Sequence, residues 1–298
     1  MKKTISDSPV VSKALSHILV NSVLILFLSI GLLGCGAPTQ TEKQEEKPAH
    51  PGTFLTVEKQ FPESQVDGYN LYIPRTCTVE SEPFPLIVFL QGGFGIGGKV
   101  EAIFNWELPK ELKEKHVLES ELDTLKLNTF VYVMPHITSG EYYHGTAGIQ
   151  QVIDEVLEQY NIDASRIYLT GLSRGGYGTW GIASKMPERF AAIAPIAGNT
   201  LGVTDFEALL DLPIWTAHNP EDERVDYSRT ENAVRKLERL SEGKFHRTST
   251  VAEADYVQHD HIFTSGANPS FEHDAWTEMY NEANFFKWLL KYKKEIKN

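Results

Sequence analysis

Ile167–Gly178 reads I-Y-L-T-G-L-S-R-G-G-Y-G. A β-branched and aromatic run ends at Thr170. Gly171-Leu172-Ser173-Arg174-Gly175 follows, and the residues after it can form a helix. Strand, tight turn and helix in that order push a serine hydroxyl out from the end of a sheet. The glycines two places either side of Ser173 have a steric task. A Cβ at Gly171 or Gly175 would collide with neighbouring strand or helix backbone. The helix start behind the serine supplies backbone N–H groups and a positive dipole end, both of which favour a developing oxyanion.

Working outward, strand-like segments occur at Phe54–Phe61, Tyr69–Pro74, Leu86–Leu90, Phe130–Pro135, Ile167–Thr170, Ala191–Ala197 and Ile214–Ala217. Leu86–Leu90 and Phe130–Met134 are unbroken apolar runs, which suit strands buried on both faces of a parallel sheet. Helical patterns alternate with them. Ile149–Tyr160 puts Ile149, Val152, Ile153, Val156 and Leu157 on one face, Glu231–Leu240 repeats the spacing, and Trp276–Leu290 closes the chain. The expected architecture is α/β, with a mostly parallel central sheet flanked by helices and an antiparallel pair leading. Only a short connection joins Ala191–Ala197 to Ile214–Ala217, so no large cap domain and an open site are expected. The longest insertions are 92–128, with the charged helix-like stretch Pro109–Leu122, and 252–273.

A serine hydroxyl attacks at neutral pH only if a base takes its proton and an acid holds that base in one tautomer. In α/β-hydrolases the chain order is serine, acid, histidine, each on a loop after a strand. After Ile214–Ala217 comes His218-Asn-Pro-Glu-Asp-Glu-Arg-Val225, a polar turn opening onto a helix. Asp222 is the best-placed acid there. Glu221, Glu223 and Asp226 compete with it, and spacing alone does not remove them. His273, just before the final helix, is the favoured base over His259 and His261. The triplet His259-Asp260-His261 converges poorly on one ion and reads as a solvated loop rather than a metal site. The two oxyanion-hole amides are expected from Arg174, directly after the nucleophile, and from Gly93 in the loop Gln91-Gly-Gly-Phe-Gly95.

Gly171–Trp180, Pro213–His218 and His273–Trp276 together resemble the polyhydroxybutyrate-depolymerase and feruloyl-esterase-like group of α/β-hydrolases, related to dienelactone hydrolase. The resemblance runs over roughly residues 69–292. It implies an α/β-hydrolase fold, a triad of Ser173, Asp222 and His273, an oxyanion hole at Gly93 and Arg174, and neither metal nor organic cofactor. The implied activity is hydrolysis of carboxylic esters through an acyl-enzyme, on bulky extracytoplasmic esters such as acylated or feruloylated polysaccharide or polyester. Two other readings stand beside it: a serine peptidase, and an inactive hydrolase-fold module that binds at the cell surface. Two positions depart from the group's pattern. Gln91-Gly92 stands where His-Gly is usual. The acid loop reads His218-Asn-Pro-Glu-Asp222 where His-Gly-x-x-Asp followed by Val-Pro is usual.

Residues 1–34 read as a lipoprotein signal peptide. Lys2, Lys3 and Lys13 give a basic start, Ile18–Leu33 is apolar, and Leu32-Leu33-Gly34-Cys35 resembles a lipobox whose cysteine thiol is acylated. Residues 35–52 are rich in Pro, Thr, Gln, Glu and Lys, and read as a flexible tether. Residues 53–298 form the catalytic domain. The expected location is the cell envelope, lipid-anchored through Cys35, at the outer membrane if the cell has one. Once Cys35 is acylated only Cys77 remains, so no internal disulfide is expected. Residues 1–34 hold three lysines and one aspartate, so their removal takes the formal charge from −12 to −14. Such a surface argues against nucleic acid as a partner.

Overall fold

The computed structural model describes residues 52–114, 126–266 and 272–296. These fall within the unit Lys47–Asn298. The signal peptide, Cys35 and all of the tether but Gly52 lie outside the described residues.

Nine strands form one sheet in the order β1-β2-β4-β3-β5-β6-β7-β9-β8. β1 is Gly52–Glu58, β2 Val66–Pro74, β3 Phe84–Leu90, β4 Val131–Ile137 and β5 Ile162–Leu172. β6 is Ala192–Ile196, β7 Ile214–Ala217, β8 Phe245–Thr248 and β9 His261–Thr264. β1 and β2 pair antiparallel, as do β2 and β4, and every other pairing is parallel. The apolar runs become the sheet's centre for a simple reason. Ile87 and Phe89 of β3 face one core while Leu86, Val88 and Leu90 face the other, so the strand needs apolar residues at every position.

Among the described residues the helices are α1 Glu107–Glu114, α2 Thr146–Gln159, α3 Arg174–Ala183, α4 Tyr227–Leu240, α5 Trp276–Tyr280 and α6 Ala283–Leu290. α2 buries Ile149, Val152, Ile153 and Val156 against the sheet, the face its spacing predicts. Of Pro109–Leu122, residues up to Glu114 are helical and the rest lies outside the described residues. The stretch 197–213 holds only the short 3₁₀ turn Glu207–Leu209.

Three expectations need correction. Phe54–Phe61 overshoots β1, which ends at Glu58 before a turn at Pro62-Glu63 where Glu63 takes φ 56°. The closing helix is two helices. Asn281 donates its side-chain amide to Thr277 O at 2.8 Å and Glu282 is extended, so a local side-chain bond replaces the next helical turn. The third concerns His259–His261, read as part of a solvated loop. His261 instead begins β9, which pairs in parallel with β7 and β8, and it is buried against Phe245.

Chain direction around the sheet fixes where a site can form. β3 continues to β4 on one side, whereas β5 sits on the other side of β3 and continues to β6. The loops leaving the carboxyl ends of β3 and β5 therefore diverge and leave a crevice between them.

Candidate active site

Ser173 occupies that crevice, between the last residue of β5 and the first of α3, with φ 51° and ψ −118°. The strained conformation is held by Ser173 N–H donating to Ile196 O at 2.9 Å. The close approach behind it needs glycine. A Cβ on Gly175 would lie 1.9 Å from Leu90 O, and one on Gly171 would lie 2.6 Å from the same oxygen. The elbow helix thus rests directly on the end of β3.

Three predicted residues meet there. His273 Nε2 lies 2.9 Å from Ser173 Oγ, and His273 Nδ1 lies 2.6 Å from Asp222 Oδ2. Asp222 accepts at Nδ1, so the proton sits on that nitrogen and Nε2 is free to accept from Ser173. The His273 ring stands edge-on to Trp276, with centroids 5.1 Å apart.

Asp222 is buried and fully satisfied. Its Oδ1 accepts the backbone N–H groups of Arg224 (2.8 Å) and Val225 (2.9 Å), and its Oδ2 is also 3.1 Å from His218 Nε2. Burial by itself pushes the carboxyl up. The hydrogen bonds from His218, His273, Val225 and Arg224 outweigh it and hold Asp222 well below the usual carboxylate range. The competitors are elsewhere. Glu221 and Glu223 are exposed, and the Asp226 carboxylate caps α4 by accepting Ser228 N–H at 2.9 Å. His261 sits at the start of β9, the end of the sheet opposite Ser173, and His259 stacks on His246.

The expected oxyanion loop follows β3. Gly93 opens a short 3₁₀ turn, and Gly93 and Arg174 both line a cavity of about 370 Å³ together with Ser173 and His273. The steric need for glycine falls on its neighbours. A Cβ on Gly92 would lie 3.0 Å from Glu107 Oε1 and one on Gly95 would lie 2.2 Å from the buried Gln91 Oε1, whereas Gly93 has nothing nearer than Arg174 Nε at 4.0 Å. The Arg174 side chain reaches Glu141 at 3.5 Å.

Of the aromatic residues, Phe94, Tyr177 and Trp276 line the cavity, while Tyr142 and Trp180 are wholly buried in the core. Sequence reasoning assigned no role to His218 or Glu107. His218 was visible only as a letter in the acid loop. Glu107 had no signal at all, because a glutamate opening a charged helix looks like any solvated residue. Among the described residues, no group of three or more His, Cys, Asp or Glu could hold a metal ion, and no helix is long and apolar enough to cross a membrane.

The chain has the α/β-hydrolase fold, with a serine, a histidine and an aspartate in contact at the strand ends. Residues 130–212, which include the elbow, match the prolyl oligopeptidase family. Over 91 residues the chain is 34% identical to a bifunctional acetylxylan esterase/xylanase of Neocallimastix patriciarum, covering 30% of this chain and 13% of that protein. Over 50 residues it is 46% identical to poly(3-hydroxyalkanoate) depolymerase C of Paucimonas lemoignei, covering 17% of this chain and 12% of the relative. Both matches span a small part of the relatives' own length. Among solved structures, the feruloyl esterase module from Clostridium thermocellum, determined with sinapinate, superposes with a TM-score of 0.63 at 13% identity, over 83% of this chain and 91% of that one. At that identity the likeness is one of fold. These similar proteins carry the names of ester hydrolases.

Proposed function

We propose that the protein is a serine esterase that cleaves carboxylic esters through an acyl-enzyme. The observation that carries this reading is the unbroken chain of contacts Ser173 Oγ–His273 Nε2 and His273 Nδ1–Asp222 Oδ2, opening into the cavity beside Gly93. His273 Nε2 takes the Ser173 proton as Oγ attacks the ester carbonyl carbon. The Asp222 carboxylate stabilises the imidazolium that forms. The Gly93 and Arg174 amides receive the negative charge that collects on the carbonyl oxygen. His273 then returns the proton to the departing alcohol, and water repeats the sequence to free the acid and regenerate Ser173.

The open strand ends, with Phe94 exposed at the rim, suit bulky esters such as acylated or feruloylated polysaccharide or a polyester. In keeping with the lipobox at Cys35, the domain is held at the cell envelope by a lipid anchor. A fluorophosphonate probe should label the wild-type chain and not Ser173→Ala; label on another serine would overturn the nucleophile. Acetyl, feruloyl and hydroxyalkanoyl esters assayed side by side would define the acyl group. The match of residues 130–212 to the prolyl oligopeptidase family favours a second reading, a serine peptidase. Turnover of peptide anilides with no turnover of esters would select it.

A further inference from the structure

Among the polar groups in the cavity wall that the steps above leave unused is the carboxyl of Glu107. Glu107 begins α1 with φ 58°, a left-handed conformation that L side chains rarely adopt. Its Oε1 lies against Gly92, 3.0 Å from where a Cβ would stand, and the Gly92 N–H bonds the carboxyl. Its Oε2 is shut away from solvent and meets no hydrogen-bond partner. A strained backbone and an unsatisfied buried oxygen thus coincide at one residue beside the nucleophile. Costs of this kind gather at working sites.

We propose that Glu107 is a positioning residue for the proposed ester hydrolysis, fixing Gly92 so that the next amide, that of Gly93, points at the carbonyl oxygen of the substrate. The proposal rests on the serine-esterase reading. The carboxyl does this work in its uncharged form. Its carbonyl oxygen still accepts from the Gly92 N–H, whereas a negative charge beneath the loop would oppose the charge growing on the substrate oxygen. Burial pushes Glu107 up to about 8, the Gly92 hydrogen bond pulls the other way, and the nearby Asp274 adds to the rise. Tyr142 and Tyr280 also face it, and His273, Arg174 and Arg224 share the cavity. The oxyanion loop should therefore work at neutral pH and fail as pH rises through about 8.

The test is kcat and KM for p-nitrophenyl acetate from about pH 6 to about pH 10, with full-length wild type, Glu107→Gln and Glu107→Leu. The wild-type kcat should fall with pH above about 8. Glu107→Leu should lower kcat by roughly 10- to 100-fold at neutral pH with KM moved less than about 3-fold. Glu107→Gln, a neutral mimic of the acid, should recover most of that loss and abolish the alkaline fall. An alkaline fall that persists in Glu107→Gln would overturn the proposal, as would a Glu107→Leu kcat equal to wild type. If Glu107→Leu does not fold, the Glu107→Gln profile decides alone. A wild-type protein that turns over no ester and takes no fluorophosphonate label would instead sink the esterase reading, and this proposal with it.

Discussion

At the residue scale, Gly175 carries the tightest constraint in the elbow. Its Cβ position, 1.9 Å from a backbone oxygen of β3, leaves no flexible side chain to give way. Gly175→Ala should therefore cost more than about 3 kcal/mol, read as a lower urea midpoint. Asp222→Asn would turn an amide N–H toward His273 Nδ1 and favour the wrong tautomer. We expect kcat on p-nitrophenyl acetate to fall by roughly 10³- to 10⁴-fold with the fold retained; a fall under about tenfold would remove Asp222 from the triad. A carboxyl held low contributes stability that is fully present above its unfolded value and is lost progressively as pH falls from that value through the folded one. The bonds around Asp222 should thus survive acid that protonates ordinary carboxylates. That Ser173, Asp222 and His273 meet could be read from the sequence because the proposed chemistry requires a chain order and a strand before each. His218 and Glu107 could not, since burial and contact, not spacing, set them apart.

At the scale of elements, the buried parallel strands were legible because both faces of β3 and β4 demand apolar side chains. β9 was not. Its four residues include His261 and Thr264, and the polarity of Thr264 is absorbed by contacts that only the assembled sheet provides. Thr264 Oγ1 accepts the Trp215 indole N–H at 3.0 Å and pairs with Thr248 Oγ1 at 3.0 Å. Thr264→Val should leave the buried indole N–H without a partner and cost about 1–3 kcal/mol, a melting-temperature drop of about 2–4 °C for each kcal/mol in a domain of this size. Thr264→Ser should restore most of it; equal melting of all three proteins would show that the bond contributes nothing. The break between α5 and α6 was hidden for a similar reason. Apolar spacing runs through Asn281, and it takes the side-chain bond to Thr277 O and the extended Glu282 to show that the helix stops there.

At the scale of the whole molecule, Glu107 makes stability depend on pH. Its carboxyl rises from an ordinary value of 4.5 to about 8, so between those values the folded protein binds more protons than the unfolded one and stability falls as pH rises. Glu107→Gln should be the more stable protein at pH 9 by up to about 5 kcal/mol, at about 1.4 kcal/mol per pH unit, with the advantage absent at pH 4; urea titrations at both values check it. Labelled palmitate should enter wild-type protein in cells and not Cys35→Ala, and wild-type protein recovered free of membranes would defeat the anchor. The groups that meet in the crevice come from Gly93, Ser173, Asp222 and His273, on loops that leave β3, β5, β7 and β9. Between the first and last of them lies most of the described chain, threaded through a sheet whose pairings are almost all parallel. No stretch that stops short of His273 brings all four together, and Ser173 gains its contact with His273 only after β9 has been made. A single backbone cut that frees β9 from β7, one strand in from the β8 edge of the sheet, would silence the protein in one event, so loss of function under proteolysis should follow local opening at that edge and precede global unfolding.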